Sequence, residues 1–413
     1  MSREVWRHVT FAEAVDINPK RSLQAGTVVP YVEMSAVPAE GATIEYLLER
    51  QAGGGGAKFQ NGDTLFARIT PCAENGKTAF VDCLPVGAHG LGSTELIVFG
   101  PKPELTHPEY VYHLARSELV RRPAISQMVG TTGRARVPNT VFDEIAIPLP
   151  PLHEQRRIAE ILSSVDEAIA ATRAVIEQTR KVKQGVLERL LTKGIGHTRF
   201  KQTEIGEIPE GWELAPIEAY LARLIDYRGV PPPKSDSGVP LITAKNVRFG
   251  YLNPEPREYI SEVDFADWMR RGLPQAGDVL FTTEAPLGNV AQIPDYKIAL
   301  GQRTITLCPD RTRLTPAFLK WLLLSPGSQA RIAENATGST ALGIKQSTFR
   351  KLKFPFPPLD EQMAIADHIE GIADAEGAET LKLESLNVLK VALMSDLLTG
   401  RKRVIDALPL AAE

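Results

Sequence analysis

The chain has 413 residues, of which 43% are hydrophobic and 23% are charged, and this composition excludes wholesale disorder. Its length predicts two or three domains, each with a hydrophobic core of its own. The formal net charge of −3 excludes a strongly basic protein, so the overall charge gives no sign of nucleic-acid binding.

The three cysteines, Cys72, Cys83 and Cys308, are scattered along the chain and form no C-x-x-C motif. We therefore expect neither a disulfide framework nor a structural zinc site, and a reducing cytoplasm suits such a chain. The first 20 residues lack the apolar core of a signal peptide, and no stretch reaches the roughly 18 apolar residues of a membrane span. These features predict a cytoplasmic protein.

Residues 1–150 are predicted to form a first β-rich domain. The runs DTLFARI (63–69) and TELIVFG (94–100) are rich in β-branched and aromatic residues, as strands are. The segment HPEYVYHLARSEL (107–119) predicts a helix with proline near its start, where helices tolerate it. The alternating segment FDEIAIPLP (142–150) predicts a closing strand.

A long helix is predicted over 151–196. Pro150 and Pro151 keep the preceding residues extended, and Glu154 then lies in the first turn, where a carboxylate favours the helix N-terminus. Apolar or small residues follow at alternating spacings of three and four, which is the period of a coiled-coil seam. They are Ile158, Leu162, Val165, Ile169, Thr172, Ile176, Thr179, Val182, Val186 and Leu190.

The second half of the chain repeats the first. The motif PPLHEQ (150–155) recurs as PPLDEQ 207 residues later, and LLTKG (190–194) recurs as LLTGR with the same displacement. We therefore predict a second β-rich domain over 197–356, a second long helix over 357–403 and a C-terminal tail over 404–413. A duplicated unit of domain plus helix explains all of these matches.

The second helix carries a similar seam, and its charge complements that of the first. Its seam residues are Ile365, Ile369, Ile372, Leu383, Leu386, Leu389, Leu393 and Leu397. The net charge is +3 over 153–199 and −3 over 353–403. We infer that the two helices pair with each other in antiparallel order, because a duplicated unit that folds back on itself acquires a pseudo-two-fold axis. The alternative is two independent amphipathic helices, each packed on its own domain.

The duplicated segments PPLHEQRRIAEIL and PPLDEQMAIADHI, each placed between a β-rich domain and a long helix, carry a family resemblance. The chain resembles the specificity (S) subunit of type I restriction–modification systems. The segment RLLTKGIGHTRFKQTEIGEIPEGWEL, from Arg189, resembles the junction through which such subunits pass from the first helix into the second recognition domain, by way of Gly211-Trp212. The resemblance covers essentially the whole chain.

This resemblance implies an α+β fold with two β-rich α/β target-recognition domains, separated by a long antiparallel two-helix coiled coil in a pseudo-two-fold repeat. It implies a non-catalytic DNA reader whose domains each recognise half of a bipartite asymmetric site. The helices would set the spacing and dock methyltransferase subunits, one for each domain, and restriction/translocase subunits could join. The chain would need no cofactor of its own, whereas the methyltransferase would use S-adenosylmethionine and the translocase ATP and magnesium.

Polar side chains on the loops between the strands are the candidates for DNA contact, because groove contact needs protruding donors and acceptors on a stable core. Arginine can bond guanine, Gln or Asn can bond adenine, and Thr, Ser and Lys can hold phosphate. In the first domain the candidates are Arg68, Thr70, Lys77, Ser93, Thr94, Arg134 and Arg136. In the second they are Thr282, Thr283, Asn289, Gln302, Arg303, Lys345 and Gln346. For each of them the alternative is an ordinary solvated loop side chain.

Known catalytic motifs are absent from the sequence: it has no Walker A motif, no H-E-x-x-H, no nucleophile elbow and no dinucleotide fingerprint. His153 and His368 are predicted to be surface residues, and Cys72 a small core residue. Two alternatives to a DNA reader stay open at this point. One is a coiled-coil scaffold whose globular domains bind protein partners, and the other is an enzyme with an unrecognised site.

Overall fold

The computed structural model describes residues 5–53, 55–131, 133–227, 231–338 and 342–404. These residues form a mixed α+β structure of two compact units, which confirms the predicted class. Unit 1 contains the described residues up to Val175 and those from Glu379 onward, and unit 2 is Ile176–Ala378. Each long helix contributes residues to both units.

The β-rich part of unit 1 is built from short strands. They are β1 (Arg7–Thr10), β2 (Val15–Ile17), β3 (Val28–Val32), β4 (Leu48–Gln51), β5 (Ala57–Gln60), β6 (Thr64–Ala67), β7 (Thr78–Phe80), β8 (His89–Gly92), β9 (Leu96–Pro101) and β10 (Ala146–Leu149). One sheet has the order β2-β9-β6-β7 and a second has the order β4-β3-β8-β5. β1 pairs with β10. All neighbours are antiparallel except β3 and β8, which run parallel.

Three short helices, α1 (Phe11–Ala14), α2 (Pro108–Arg116) and α3 (Glu118–Ser126), accompany these strands. β6 is buried on both faces: Phe66 packs with Phe99 and Phe142, whereas Leu65 packs into a second apolar cluster. Residues that alternate along a strand point to opposite faces, so a strand covered on both sides becomes a continuous apolar run. This burial explains the predicted strands at DTLFARI and TELIVFG.

Unit 2 repeats this topology. Its strands are β11 (Phe200–Thr203), β12 (Gly206–Pro209), β13 (Glu213–Pro216), β14 (Leu221–Asp226), β15 (Val239–Ile242), β16 (Tyr259–Ile260), β17 (Val279–Thr282), β18 (Val290–Gln292), β19 (Ala299–Leu300), β20 (Thr304–Pro309) and β21 (Lys353–Phe356). The sheet β14-β20-β17-β18 corresponds to β2-β9-β6-β7, and β16-β15-β19 corresponds to β4-β3-β8. β15 and β19 run parallel, as β3 and β8 do. β13 pairs with β21, and β11 forms a hairpin with β12. The inferred duplication is therefore visible in strand order and direction.

The helices complete the fold. The first long helix, α4, spans Leu152–Lys193, inside the predicted 151–196. Unit 2 adds four short helices, α5 (Glu262–Trp268), α6 (Pro316–Leu324), α7 (Pro326–Glu334) and α8 (Gln346–Phe349). The second long helix, α9, spans Leu359–Leu398, inside the predicted 357–403. None of the described helices is long and apolar enough to cross a membrane.

The repeated Glu-Gln pair at the start of each long helix joins the helix to its own unit. Gln155 is fully buried, accepts a hydrogen bond from the His107 amide at 2.9 Å, and donates to the carbonyls of Leu105 and Pro150 at 2.9 and 2.8 Å. Gln362 makes the same three kinds of bond in unit 2, at 2.8–2.9 Å. Both amides satisfy backbone groups that burial would otherwise leave without partners.

The glutamate of the pair binds the far end of the other helix. In unit 1 the buried Glu154 carboxylate accepts from the Trp6 indole at 2.9 Å and from two guanidinium nitrogens of Arg403, both at 2.8 Å. Burial acts to raise the pKa of Glu154, but the bonds from Arg403 and Trp6 outweigh it and hold that pKa below the ordinary value. Residues just beyond α9 are therefore held against the start of α4.

Within each unit, residues of the two long helices meet in antiparallel order. In unit 1, Glu154 pairs with Arg403, just beyond α9, and Asp166 pairs with Lys390 in α9, so the partner's residue number falls as α4 advances. In unit 2, Glu376 accepts from Arg180 at 2.6 Å and also pairs with Lys183. The helix ends also enter the domain cores. Apolar residues of both helices share one cluster in unit 1 (Ile158, Leu162, Leu397 and Leu398) and another in unit 2 (Leu187, Leu191, Ile365 and Ile369).

The predicted seam residues are buried or half-buried with two exceptions. Val182 and Leu389 are each 46% exposed, so their assignment to the seam was wrong. Leu187 and Leu191 are buried in unit 2, although a strict 3.5-residue repeat does not select them. A straight α-helix has 3.6 residues per turn, so a 3.5-residue repeat drifts around it by about 20° per heptad and the buried positions change along its length.

Candidate nucleic-acid interface

Three segments of unit 1 that are far apart in sequence meet at one place. The segment 68–70 follows β6, the segment 93–95 joins β8 to β9, and the third segment, the described residues 129–131 and 133–137, lies between α3 and β10. The Arg68 amide donates to the carbonyl of Glu95 at 3.0 Å, and Val137 donates to the carbonyl of Arg68 at 2.8 Å. These bonds bring six of the seven predicted contact residues of this domain into one loop cluster.

Arg136 is exposed but already has an anionic partner. Its guanidinium donates to both carboxylate oxygens of Glu95, at 2.8 and 2.6 Å. The bond from Arg136 lowers the pKa of Glu95 below its usual range, so the pair is ionic at neutral pH. Two N–H groups of the Arg136 guanidinium are bonded to Glu95. In this conformation those two groups are therefore not available to bond DNA.

The other predicted residues of unit 1 differ in how far they reach the surface. Arg134 and Thr94 are exposed, whereas Ser93, Arg68 and Thr70 are half-buried. Ser93 accepts from the Glu95 amide at 3.2 Å, so its hydroxyl shapes the turn. Thr70 is held through its backbone, which donates to Ala135 at 3.0 Å.

Arg68 and Lys77 are both half-buried. The Arg68 Nε atom is buried and makes no hydrogen bond to the part of the chain that the structure describes. Lys77 donates through Nζ to the carbonyl of Met34 at 2.9 Å and so holds the loop after β3. Arg134 and Thr94 are therefore the predicted residues of unit 1 that are best placed to meet a ligand, and the role of each residue stays a prediction.

Unit 2 has a loop cluster with the same backbone hydrogen bonds but with different side chains. Thr283 takes the place of Arg68: its amide donates to Arg303 at 3.1 Å, and its carbonyl accepts from Ile344 at 2.9 Å. Thr337 and Gly343 exchange backbone hydrogen bonds at 2.8 and 2.9 Å, as Val129 and Arg136 do at 2.9 Å in unit 1. The backbone framework is conserved within the chain, while the side chains that it presents are not.

The ion pair of this cluster is rearranged in unit 2. The acid is Glu284 in the loop after β17, and the base is Arg303 in the turn before β20, with Arg303 Nε 3.5 Å from the Glu284 carboxylate. Both side chains are more than half exposed, so the pair is looser than the Glu95–Arg136 pair. Arg303 also has a φ of 64°, an uncommon conformation for a residue with a side chain.

Three predicted contact residues of unit 2 make hydrogen bonds within the protein. Thr282 and Thr283 are 0% and 3% exposed, so in this conformation neither can touch DNA. The Thr282 hydroxyl accepts from the Asn289 amide at 2.8 Å, and the Thr283 hydroxyl donates to Arg303. Asn289 donates through its side chain to the carbonyl of Val247 at 2.8 Å. When a strand is buried, the hydroxyl of a threonine in it forms a hydrogen bond with a nearby backbone group. The sequence pattern alone does not reveal that burial.

The remaining predictions of unit 2 lie at the surface. Lys345 is exposed and immediately precedes α8, Gln346 is half-buried in the first turn of α8, and Gln302 is half-buried beside Arg303. Arg303 and Lys345 are thus the exposed cations of this cluster. Their contact with DNA stays a prediction.

Sequence reasoning did not select a basic loop that lies next to this cluster. The loop after β15 carries Lys245 and Arg248 together with the exposed aromatic residues Phe249 and Tyr251. The available signal was the run RFGY (248–251), in which an arginine is followed by two aromatic residues with a glycine between them. The acidic partners Glu95 and Glu284 were also missed, because nothing local marks a long-range ion pair.

The side chains of this surface can be compared with what a metal site requires. Among the described residues, no group of three or more His, Cys, Asp or Glu side chains is placed to hold a metal ion. His153 and His368 are exposed, as predicted, and Cys72 packs half-buried against an apolar cluster. What the loop clusters can do is present cations and hydrogen-bonding groups from rigid backbone.

Comparison with known proteins agrees with the resemblance seen in the sequence. The family described as "Type I restriction modification DNA specificity domain" matches residues 15–179 and 268–386. The MjaX protein of Methanocaldococcus jannaschii, named as a type I restriction enzyme specificity subunit, is 30% identical over 362 residues, which are 83% of this chain and 79% of that protein.

Solved structures share the fold. A type I restriction–modification S subunit from M. genitalium has a TM-score of 0.60 at 13% identity, over 96% of this chain and 97% of that one. A chain from a study of the assembly and conformational transition of a type I R-M system has a TM-score of 0.58 at 21% identity, over 96% and 98%. The matches to the family and to MjaX span both repeats, and the chain therefore belongs to the family of type I restriction modification DNA specificity subunits.

Proposed function

We propose that this chain is the sequence-specific DNA-recognition subunit of a type I restriction–modification complex and that each of its two β-rich domains recognises one half of a bipartite, asymmetric site. The observation that carries the proposal is the repeated loop cluster. The same backbone hydrogen bonds recur in both units, with Arg68, Glu95 and Arg136 in one and Thr283, Arg303 and Gly343 in the other. A common framework with different side chains suits two readers of different sequences.

The long helices would serve as the spacer between the two readers. α4 and α9 have 42 and 40 residues, so each spans roughly 60 Å as α-helix. The antiparallel contacts within each unit support a paired coiled coil that sets the gap between the half-sites. The same helices would dock methyltransferase subunits, one for each recognition domain, and restriction/translocase subunits would join this assembly.

Partner subunits would supply the chemistry and much of the affinity. In this proposal the methyltransferase uses S-adenosylmethionine, the translocase uses ATP and magnesium, and the chain itself contributes recognition only. The formal net charge of −3 supports this division, because neutralisation of phosphates provides most of the salt-dependent affinity for DNA. Cations on the partner subunits would surround the duplex.

Methylation mapping tests the proposal. The chain is co-expressed with its cognate methyltransferase subunit, and modified bases are read across the host genome. We expect one asymmetric motif of two short sequences separated by a gap of constant length. The proposal would be contradicted if methylation followed no sequence motif. It would also be contradicted if the methylation level did not exceed that of cells lacking this chain.

A matched pair of variants refines this test. Arg134→Ala removes an exposed cation of the loop cluster and should relax the bases accepted in one half-site only. Arg122→Ala removes an exposed cation of α3 outside the three segments and should leave the motif unchanged. The alternative of a scaffold that binds only proteins through its globular domains is not favoured, because the matched family is one of DNA specificity.

A further inference from the structure

The loop after β15 in unit 2 forms a short hairpin that presents two aromatic side chains to solvent. Val247 and Leu252 pair as an antiparallel bridge, and the Arg248 amide donates to the carbonyl of Tyr251 at 2.9 Å. Phe249 and Tyr251 are 56% and 61% exposed. We call residues 248–251 the aromatic tip.

The aromatic tip is held rigidly at its base. Asn246 is 1% exposed and donates to the carbonyls of Asn253 and Pro256, at 3.2 and 3.0 Å. Gly250 has a φ of 102°, and its amide donates to the carbonyl of Val290 at 2.8 Å. A tip that is ordered beforehand loses little conformational entropy when it binds.

The loop that carries the aromatic tip adjoins the candidate DNA surface and is positively charged. The Asn289 side chain, in the loop between β17 and β18, bonds the Val247 carbonyl at 2.8 Å. Residues 243–254 include Lys245 and Arg248 and no Asp or Glu. Neither cation makes an ion pair with another part of the chain that the structure describes. The next acids, Glu255 and Glu258, pair with Arg257 and Lys234 instead.

The corresponding loop of unit 1 has the opposite character. Residues 33–47, after β3, contain three glutamates and no Lys or Arg. The Arg116 side chain donates to the carbonyls of Ala39 and Gly41, at 3.0 and 2.5 Å, and Glu40 pairs with Arg173 of α4. This loop is thus folded onto the helices of its own unit. Its aromatic residue, Tyr46, is 40% exposed and bonds Glu33 and Ser35 through its hydroxyl, whereas residues 38–41, at the position of the aromatic tip, carry no aromatic side chain.

We propose that the aromatic tip binds duplex DNA, with Phe249 and Tyr251 as apolar wedges against a base step and with Lys245 and Arg248 on the flanking phosphates. Apolar side chains inserted at a base step partly unstack it, and adjacent cations hold the backbone. Unit 2 therefore makes an aromatic contact with its half-site that unit 1 does not make. This inference rests on the proposed function and adds an asymmetry between the two readers to it.

The test uses the complex of this chain with its methyltransferase subunits and a duplex that carries the motif read from the methylated host genome. Dissociation constants are measured by fluorescence anisotropy over a range of salt concentrations. The variants are Phe249→Ala with Tyr251→Ala, and Lys245→Ala with Arg248→Ala. Tyr296→Ala is the matched control, because Tyr296 is 58% exposed and is not among the residues that hydrogen-bond the hairpin of the aromatic tip, such as Asn289 and Val290.

The aromatic double variant should raise Kd about tenfold or more without changing its salt dependence, because stacking contributes little counterion release. The lysine–arginine double variant should reduce the slope of log Kd against log salt by about two, because two phosphate contacts are lost. The control should match the wild type. All four side chains reach solvent, so folding should be preserved.

Two results would overturn the inference. One is a Kd for the aromatic double variant within twofold of the control. The other is loss of methyltransferase subunits from the complex on gel filtration, which would make the tip a protein contact. A wild-type complex that binds the motif no better than a scrambled duplex would instead defeat the proposed function, so the two failures are distinguishable.

Discussion

The indole of Trp212 donates a hydrogen bond to the carboxylate of Glu361 at 2.9 Å, across 149 residues of sequence. The same carboxylate accepts from the Ile195 amide and lies 2.9 Å from His197 Nε2. Glu361 lies in the first turn of α9, whereas Ile195 and His197 follow α4. This cluster joins the end of one long helix to the start of the other within unit 2, as Glu154 does with Trp6 and Arg403 in unit 1.

Replacing Glu361 with glutamine should destabilise unit 2. The amide cannot accept all of these bonds, and lost hydrogen bonds to a charged group cost about 2 kcal/mol. The midpoint of urea denaturation, followed by tryptophan fluorescence, should fall accordingly. Glu384→Gln, at an exposed position of the same helix, is the control and should change nothing. Equal midpoints for both variants would refute a stabilising role for Glu361.

The stability of unit 1 should depend on pH through Glu154. The pKa of this carboxyl is held below the ordinary 4.5 by Arg403 and Trp6, despite burial. Its contribution is therefore complete above pH 4.5 and is lost as the pH falls through the lower folded pKa. The difference in unfolding midpoint between wild type and Glu154→Gln should be large at pH 7 and should shrink toward pH 3.

Glu167→Gln serves as the reference for this titration, because Glu167 is exposed on α4. It should follow the wild type at every pH. A gap between wild type and Glu154→Gln that is constant from pH 7 to pH 3 would mean that ionisation of Glu154 contributes nothing.

Removing the charge of Glu95 should release Arg136 for DNA. In Glu95→Gln the guanidinium loses its bidentate ionic partner and becomes able to neutralise a phosphate, so the slope of log Kd against log salt should steepen by about one. Discrimination between half-site sequences should weaken at the same time. Salt titrations of the assembled complex, with Glu74→Gln from the same loop region as control, would measure both effects. An unchanged slope would show that Glu95 does not restrain Arg136.

Lengthening both long helices should change the length of the gap between the two half-sites without changing the bases recognised in either half-site. Seven residues inserted after Gln178 in α4 and after Ala378 in α9 preserve a heptad seam and add about 10 Å, or roughly three base pairs. Methylation mapping should then report the same half-sites at a wider spacing. Insertion into one helix alone would misalign the seam and should abolish methylation. New half-site bases at the old spacing would exclude a spacer role.

Several features of this protein follow from local patterns alone. The duplication, the strand runs, the two helices of about 40 residues and the seam of buried positions are encoded by periodicity and by prolines at fixed places. Gln155 and Gln362 stand out in the sequence because the surrounding motif is repeated. These patterns can be recognised from the sequence alone, because they depend on residues that are close together in sequence.

The tertiary structure alone decided which loops meet and which side chains remain available. Thr282 and Arg134 look equally suited to DNA contact in the sequence, yet Thr282 is buried under its own loop and Arg134 is exposed. The Glu95–Arg136 pair and the binding of Arg403 by Glu154 depend on backbone hydrogen bonds and packing between residues far apart in sequence. Because those contacts are long-range, no local window of residues contains them.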